Sequence, residues 1–186
     1  MEIRRMVTSI SSGHGIFVNG IPSSGKTSVA TEIKRRIPSF QIIAGDDLVR
    51  QALGGPENVL QVPREQLPAA VRRVFAVTLD MIEEATRSAN VVLDGAWTEQ
   101  QVTEAKSRLG ASALFAILRI DETERQRREA ARTDRRLTFP WDPAWRDMPG
   151  PDELYDLVLD AAASDVSACA DAILAEYTKR WGDPSR

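Results

Sequence analysis

Short apolar runs alternate with longer stretches of helical periodicity along the 186 residues of the chain. Gly15–Asn19 (GIFVN), Phe40–Ala44 (FQIIA), Val91–Asp94 (VVLD), Ala113–Ile120 (ALFAILRI) and Tyr155–Leu159 (YDLVL) have the length and near-continuous apolar character of strands buried on both faces. Between them, helices are predicted over Lys26–Arg36, Arg64–Ser88, Thr98–Leu109, Glu122–Arg135 and Asp165–Trp181. Within Arg64–Ser88 the residues Leu67, Val71, Val74, Phe75, Leu79 and Ile82 recur at the spacing of one helix face. Buried strands alternating with amphipathic helices predict an α/β, doubly wound fold: a parallel five-stranded sheet with helices on both faces.

Two segments break this rhythm. Gln51–Pro68 contains GGPENVLQVP, and Thr138–Asp152 (TFPWDPAWRDMPGPD) carries four prolines and two tryptophans. Irregular stretches this long inside a compact chain are either surface connections or functional loops, and the tryptophans favour contact with a ligand. The length fits one domain spanning 1–186, with a lid over about 122–152. A net charge of −3 disfavours nucleic acid as the main partner, because such binders usually carry a basic face. No apolar run approaches the ~20 residues of a membrane span. Met1–Ser12 also lacks the apolar core of a signal peptide, so a cytoplasmic setting is expected. The single cysteine, Cys169, reads as a small apolar residue on a helix, and a homo-oligomer is left open.

The chemistry enters at Gly20–Thr27, GIPSSGKT, which fits Gly-x-x-x-x-Gly-Lys-Ser/Thr and stands between a predicted strand and a predicted helix, as that pattern requires. Glycines at Gly20 and Gly25 let successive backbone N–H groups converge on phosphate oxygens. The helix that follows adds its positive N-terminal end. Lys26 supplies charge to the β- and γ-phosphates, and Thr27 offers a hydroxyl to Mg²⁺. Gly20, Pro22, Ser23, Ser24, Gly25, Lys26, Thr27 and Ser28 are therefore expected to bind ATP.

Such a loop names the ligand and leaves the reaction open. Asp46 and Asp47 follow the second strand, at the carboxyl end where α/β sheets place ligands. One carboxylate there suits a base for an acceptor hydroxyl, and the other suits a helix N-cap. We assign Asp46 as the base and Asp47 as the cap on the acceptor side. Asp94 ends the third strand, where it would hold Mg²⁺ with Thr27, although capping a helix near Thr98 is the alternative. Arg128, Arg132 and Arg135 recur at steps of four and three, and Arg125, Gln126, Arg127 and Glu129 read as a solvated face. His14, the only histidine, is assigned to the surface or to fraying; Trp97, Trp141 and Trp145 suit either core packing or stacking on a flat substrate.

These residues resemble the chloramphenicol phosphotransferase-like family of small P-loop kinases. The stretches that carry the likeness are IFVNGIPSSGKTS, GDDL, ANVVLDGAW, RREAARTDR and YDLVLDAAASDVSACADAIL. The resemblance implies a P-loop kinase fold with a small lid, and transfer of the ATP γ-phosphate to a hydroxyl of a small molecule. It implies Asp46 as base, Arg128, Arg132 and Arg135 as lid arginines over the phosphates, and Asp160 as the aspartate after the final strand. Lys26 and Arg135 join Asp46 as catalytic residues in this reading; Asp47, Asp94, Trp97 and Trp141 line the acceptor side, and Thr27 and Asp94 take the metal. The region from Leu53 to Arg64 is short for the family, and the tryptophan segment is foreign to its pattern. Both fall where the acceptor would lie. An antibiotic, as for a resistance kinase, and a shikimate-, gluconate- or nucleotide-type metabolite are both allowed. A nucleotide-dependent binding module is disfavoured by the lack of an Asn/Thr-Lys-x-Asp guanine motif.

Overall fold

The computed structural model describes residues 13–52, 67–132 and 149–184. In chain order the elements are β1 (Gly15–Asn19), α1 (Lys26–Arg36), β2 (Gln41–Ala44), α2 (Gly45–Ala52), α3 (Leu67–Ala85), β3 (Val91–Gly95), α4 (Glu99–Leu109), β4 (Ala113–Arg119), α5 (Glu122–Ala130), β5 (Leu157–Asp160) and α6 (Val166–Trp181). The five strands form one parallel sheet in the order β2-β3-β1-β4-β5. Arg135, Trp141 and Trp145 lie outside the described residues.

Alternation along β1 explains the two layers. Ile16 and Val18 enter a core with Val29 and Ile33 of α1 and Ile173 and Tyr177 of α6. Phe17 points the other way, into a core built from Phe75, Leu79 and Ile82 of α3 and from Val102 and Leu109 of α4. Each such side chain taken fully from water contributes about 1.5–3 kcal/mol, so both faces are held by apolar burial. Cys169 is buried in the first core and unpaired. Among the described residues no helix is long and apolar enough to cross a membrane.

Local chemistry sets the boundaries. Thr98 caps α4 and forms a capping box with Gln101, which removes Asp94 from the capping role left open above. Asp121 and Asp165 cap α5 and α6, their carboxylates accepting from the N–H groups of Glu124 and Ala168. α2 begins at Gly45, directly after β2, so Asp46 and Asp47 both stand in its first turn and neither is the residue before it. Their charges still complement the positive end of the helix. α5 ends at Ala130 and leaves Arg132 in the turn beyond, so Arg128 and Arg132 do not share one helix face.

The amino ends of β1 and β3 meet in an aromatic cluster that corrects the reading of His14. Its ring stacks on Trp181 at 4.2 Å and its backbone N–H donates to Asn90 Oδ1 at 2.9 Å, so it is packed and half-buried rather than frayed.

Candidate active site

The carboxyl ends of β1, β2 and β3 lie side by side, with Ala44 and Val18 flanking Asp94 and with Asn19 beside Gly95. The phosphate-loop sequence leaves β1 at this edge. Gly20 has φ 152° and a side chain there would meet Leu118 O at 2.8 Å; Gly25, with φ 102°, caps α1. Ser23 shares the left-handed region at φ 69°, a conformation expected only of the glycines. Its hydroxyl donates to the Glu129 carboxylate of α5. Lys26 Nζ crosses the loop to Ile21 O at 3.0 Å. Pro22, Ser23 and Ser24 are buried, and Ser24 Oγ has no hydrogen-bond partner; Thr27 and Ser28 are exposed in the first turn of α1.

Asp94 is only 5% exposed. Burial raises its pKa, and it is opposed by a hydrogen bond from Thr27, the nearby charge of Lys26 and the backbone N–H of Gly45, while the charge of Asp46 pushes it further up. One carboxylate thus gathers the loop threonine, the loop lysine, the start of α2 and the exposed Asp46. A hydroxyl and a carboxylate are hard oxygen donors, which suits Mg²⁺ held through one protein carboxylate and phosphate oxygens. Among the described residues no three His, Cys, Asp or Glu side chains cluster, and Mg²⁺ sites of this kind do not call for one. Gly45 permits the close approach, since a side chain there would meet Asp94 O at 2.9 Å.

Trp97 lies beneath this edge and is 4% exposed. It packs on Phe75 at 4.8 Å and fills the space that Gly95 and Gly45 leave empty. Of the two roles open to it, the structure shows core packing; stacking on a substrate would require an open ring face. Its Nε1 has no hydrogen-bond partner.

The arginines divide. Arg128 donates to Ser24 O at 3.3 Å, to Ala161 O and to Glu124 Oε1 at 2.8 Å, so its fork braces α5 against the phosphate loop and the segment after β5. Arg127 and Arg128 together hold the Glu124 carboxyl down at about 2. Arg132 has a buried Nη1 with no partner, a donor suited to a phosphate oxygen. The solvated-face reading fails at two positions: Arg125 is buried and bonded to Glu122, and Glu129 reaches Ser23. Asp160 Oδ1 accepts from Ala162 and Ala163 N–H, which shapes the turn that presents Ala161 O to Arg128.

Sequence reasoning missed Asn19. This residue is 1% exposed and ends β1. Its Oδ1 accepts from Gly20 N at 2.9 Å and Trp97 N at 2.8 Å; its Nδ2 donates to Trp97 O at 3.0 Å and to Tyr155 Oη at 2.6 Å. The only signal in the chain was a polar residue at the end of an otherwise apolar strand.

A 2-3-1-4-5 parallel sheet with a phosphate loop after β1 and an acidic residue at the end of β3 defines a P-loop kinase fold. Solved structures with this architecture include a gluconokinase from Sinorhizobium meliloti 1021 (20% identity, 91% of this chain and 95% of that one covered, TM-score 0.63). A shikimate kinase from Acinetobacter baumannii matches at 16% identity, with 91% and 96% covered and TM-score 0.63. The APS kinase CysC of Mycobacterium tuberculosis matches at 18% identity, with 88% and 96% covered and TM-score 0.60. The chain belongs to the chloramphenicol phosphotransferase-like protein family, whose profile matches residues 13–178. Among curated proteins no match is found.

Proposed function

We propose that this protein is an ATP-dependent O-phosphotransferase that moves the γ-phosphoryl group to a hydroxyl of a small molecule. The observation that carries the reading is the buried Asp94, which accepts from Thr27 and from Gly45 N–H and lies within reach of the charges of Lys26 and Asp46. Membership of the phosphotransferase-like family supports the same reaction class.

In this reading the loop amides and Lys26 hold the β- and γ-phosphates, and Arg132 takes a phosphate oxygen with its unpartnered nitrogen. Thr27 and Asp94 would hold Mg²⁺, and an ion held there would supply positive charge to the phosphates during transfer. Asp46, exposed in the first turn of α2, accepts the proton of the acceptor hydroxyl as the oxygen attacks phosphorus. Asp47 stands beside it on the acceptor side, and Arg135 completes the set of lid arginines. Positioning and electrostatics supply most of the rate, because a metaphosphate-like transition state asks little covalent chemistry of the protein.

The test is an ADP-release screen with chloramphenicol, shikimate, gluconate and adenylyl sulfate as acceptors, run on the wild type and on Asp46→Asn. Transfer should fall by a factor of at least ~10² in the variant while ATP affinity stays within about twofold. Full transfer activity in Asp46→Asn would sink the assignment. A metabolite acceptor, favoured only by the fold likeness to the gluconate, shikimate and APS kinases, would appear in the same screen.

A further inference from the structure

Asn19 is bonded to saturation. An asparagine amide offers two donor hydrogens and two acceptor lone pairs, and all four are used. Two backbone N–H groups, from Gly20 and Trp97, end on one atom of the amide, which fixes that atom as oxygen and removes the usual ambiguity of orientation. The nitrogen must then donate to Tyr155 Oη, so the tyrosine's own hydrogen goes elsewhere, to Pro149 O at 2.6 Å. The chain of bonds runs in one direction, from Asn19 through Tyr155 to the Pro149 carbonyl.

This relay ends on the parts a nucleotide would use. It takes the N–H of Gly20, the first residue of the phosphate loop, whose φ of 152° sets the course of the loop behind it. It also grips both backbone groups of Trp97, three residues past Asp94. The carbonyl of Pro149 anchors the far end, beside Gly150, whose own carbonyl accepts from Arg119 at 2.7 Å. A phosphate loop binds well only if its amides already point correctly, and ordering them at the moment of binding costs affinity.

We propose that Asn19 and Tyr155 are positioning residues for nucleotide binding: their shared hydrogen bond locks the entry of the phosphate loop to the β3 exit and to the Pro149 turn. The proposal rests on the reading of that loop as an ATP site. Neither residue touches the phosphates, and each acts through the backbone it holds.

The molecule carries its own control. Tyr177 Oη donates to Asn90 Oδ1 at 2.7 Å among the amino ends of the strands, so Tyr177→Phe removes the same kind of bond far from the loop. Calorimetric titration of Mg·ATP, with thermal melting alongside, should be run on the wild type, Tyr155→Phe, Asn19→Ala, the double variant and Tyr177→Phe. Tyr155→Phe should weaken ATP about 10-fold, the size of one buried hydrogen bond. Asn19→Ala should weaken it at least as much, and the double variant no more than Asn19→Ala alone. Tyr177→Phe should lower the melting temperature and leave ATP affinity unchanged. If Tyr155→Phe melts earlier yet binds ATP like the wild type, the pair is structural and the inference fails, while the ATP reading stands. If the wild type binds no ATP, both fail. Should Asn19→Ala not fold, Tyr155→Phe against Tyr177→Phe still decides.

Discussion

An asparagine joins β1 to β3 at each end of the sheet, and the two ends use the same stitch for different work. Below β3, Asn90 Oδ1 accepts from His14 N at 2.9 Å and from Tyr177 Oη at 2.7 Å. Above it, Asn19 Oδ1 accepts from Gly20 N and Trp97 N, and its amide nitrogen continues to Tyr155. Both tyrosines are pushed up to about 12 by burial, so neither hydroxyl ionises in the physiological range. Their surroundings differ. Tyr177 meets His14, Phe40 and Trp181 edge-on in an aromatic cluster, where packing holds the backbone whether or not the hydroxyl bonds. Asn19 borders left-handed backbone at Gly20 and the peptide of Trp97, whose ring is packed but whose N–H and C=O both bond to the Asn19 amide, so hydrogen bonds add to packing in fixing the path. Both ends are packed, and what sets the Asn19–Tyr155 pair apart is that its bonds reach the first residue of the phosphate loop.

Deleting each amide separates the two most strongly. Asn19→Ala strips partners from two backbone N–H groups, one carbonyl and one hydroxyl inside a buried site, which should cost about 3 kcal/mol or more. Asn90→Ala takes the acceptor from two donors, His14 N–H and Tyr177 O–H, at a half-buried position where water can replace the amide, which should cost about 1–2 kcal/mol. Urea denaturation of the two variants in parallel reads the difference. Equal costs would erase the distinction between the ends.

The second contrast is electrostatic. Each end buries a group that desolvation drives toward its neutral form: the carboxyl of Asp94 is raised and the imidazole of His14 is lowered. The signs with pH are opposite. A folded Asp94 with a raised pKa holds its proton more tightly than the unfolded chain, so its contribution is present in acid and is lost as pH rises through the folded value. Asp94→Asn should therefore raise the urea midpoint of the nucleotide-free protein at pH 7, and the gain should vanish below about pH 4, where both states of the wild type are protonated. The same variant should lose about tenfold or more of the Mg²⁺-dependent part of ATP affinity. A variant that is both less stable and unaltered in its Mg²⁺ dependence would show that Asp94 is an ordinary buried carboxylate.

What the chain revealed before folding follows the same divide. The phosphate loop was legible because its parts lie within eight residues and act through their own backbone, and Phe75, Leu79 and Ile82 were legible because burial repeats with the helix. Asp94 was legible as a charge ending an apolar run. Asn19 was not, since its partners Trp97 and Tyr155 stand 78 and 136 residues away. Glu129 was misread as solvated because Ser23 is 106 residues distant, and Arg132 was placed on a helix that stops at Ala130. Periodicity reports which side of an element is covered; it does not report which distant polar group completes a hydrogen bond. The acceptor side was least legible, because Trp97 turned out to be packed beneath two glycines.

The smallest effect belongs to His14, and it tests whether the amino-terminal end is held by packing. Its lowered pKa means that the folded protein resists the proton. As pH falls through about 6.5 the unfolded chain takes that proton first, so stability declines until the folded ring also titrates. His14 is the only histidine, and the contribution of Asp94 runs the other way with pH. The measurement is therefore cleanest in the Asp94→Asn background, comparing His14 with His14→Phe, which keeps a ring against Trp181 and removes the titration. The parent should lose urea midpoint between pH 7 and 5 and the Phe variant should lose less, with ATP affinity equal in both. Equal slopes would mean that His14 is no more desolvated in the fold than in the unfolded chain, and a change in ATP affinity would mean that the two ends of the sheet are not independent.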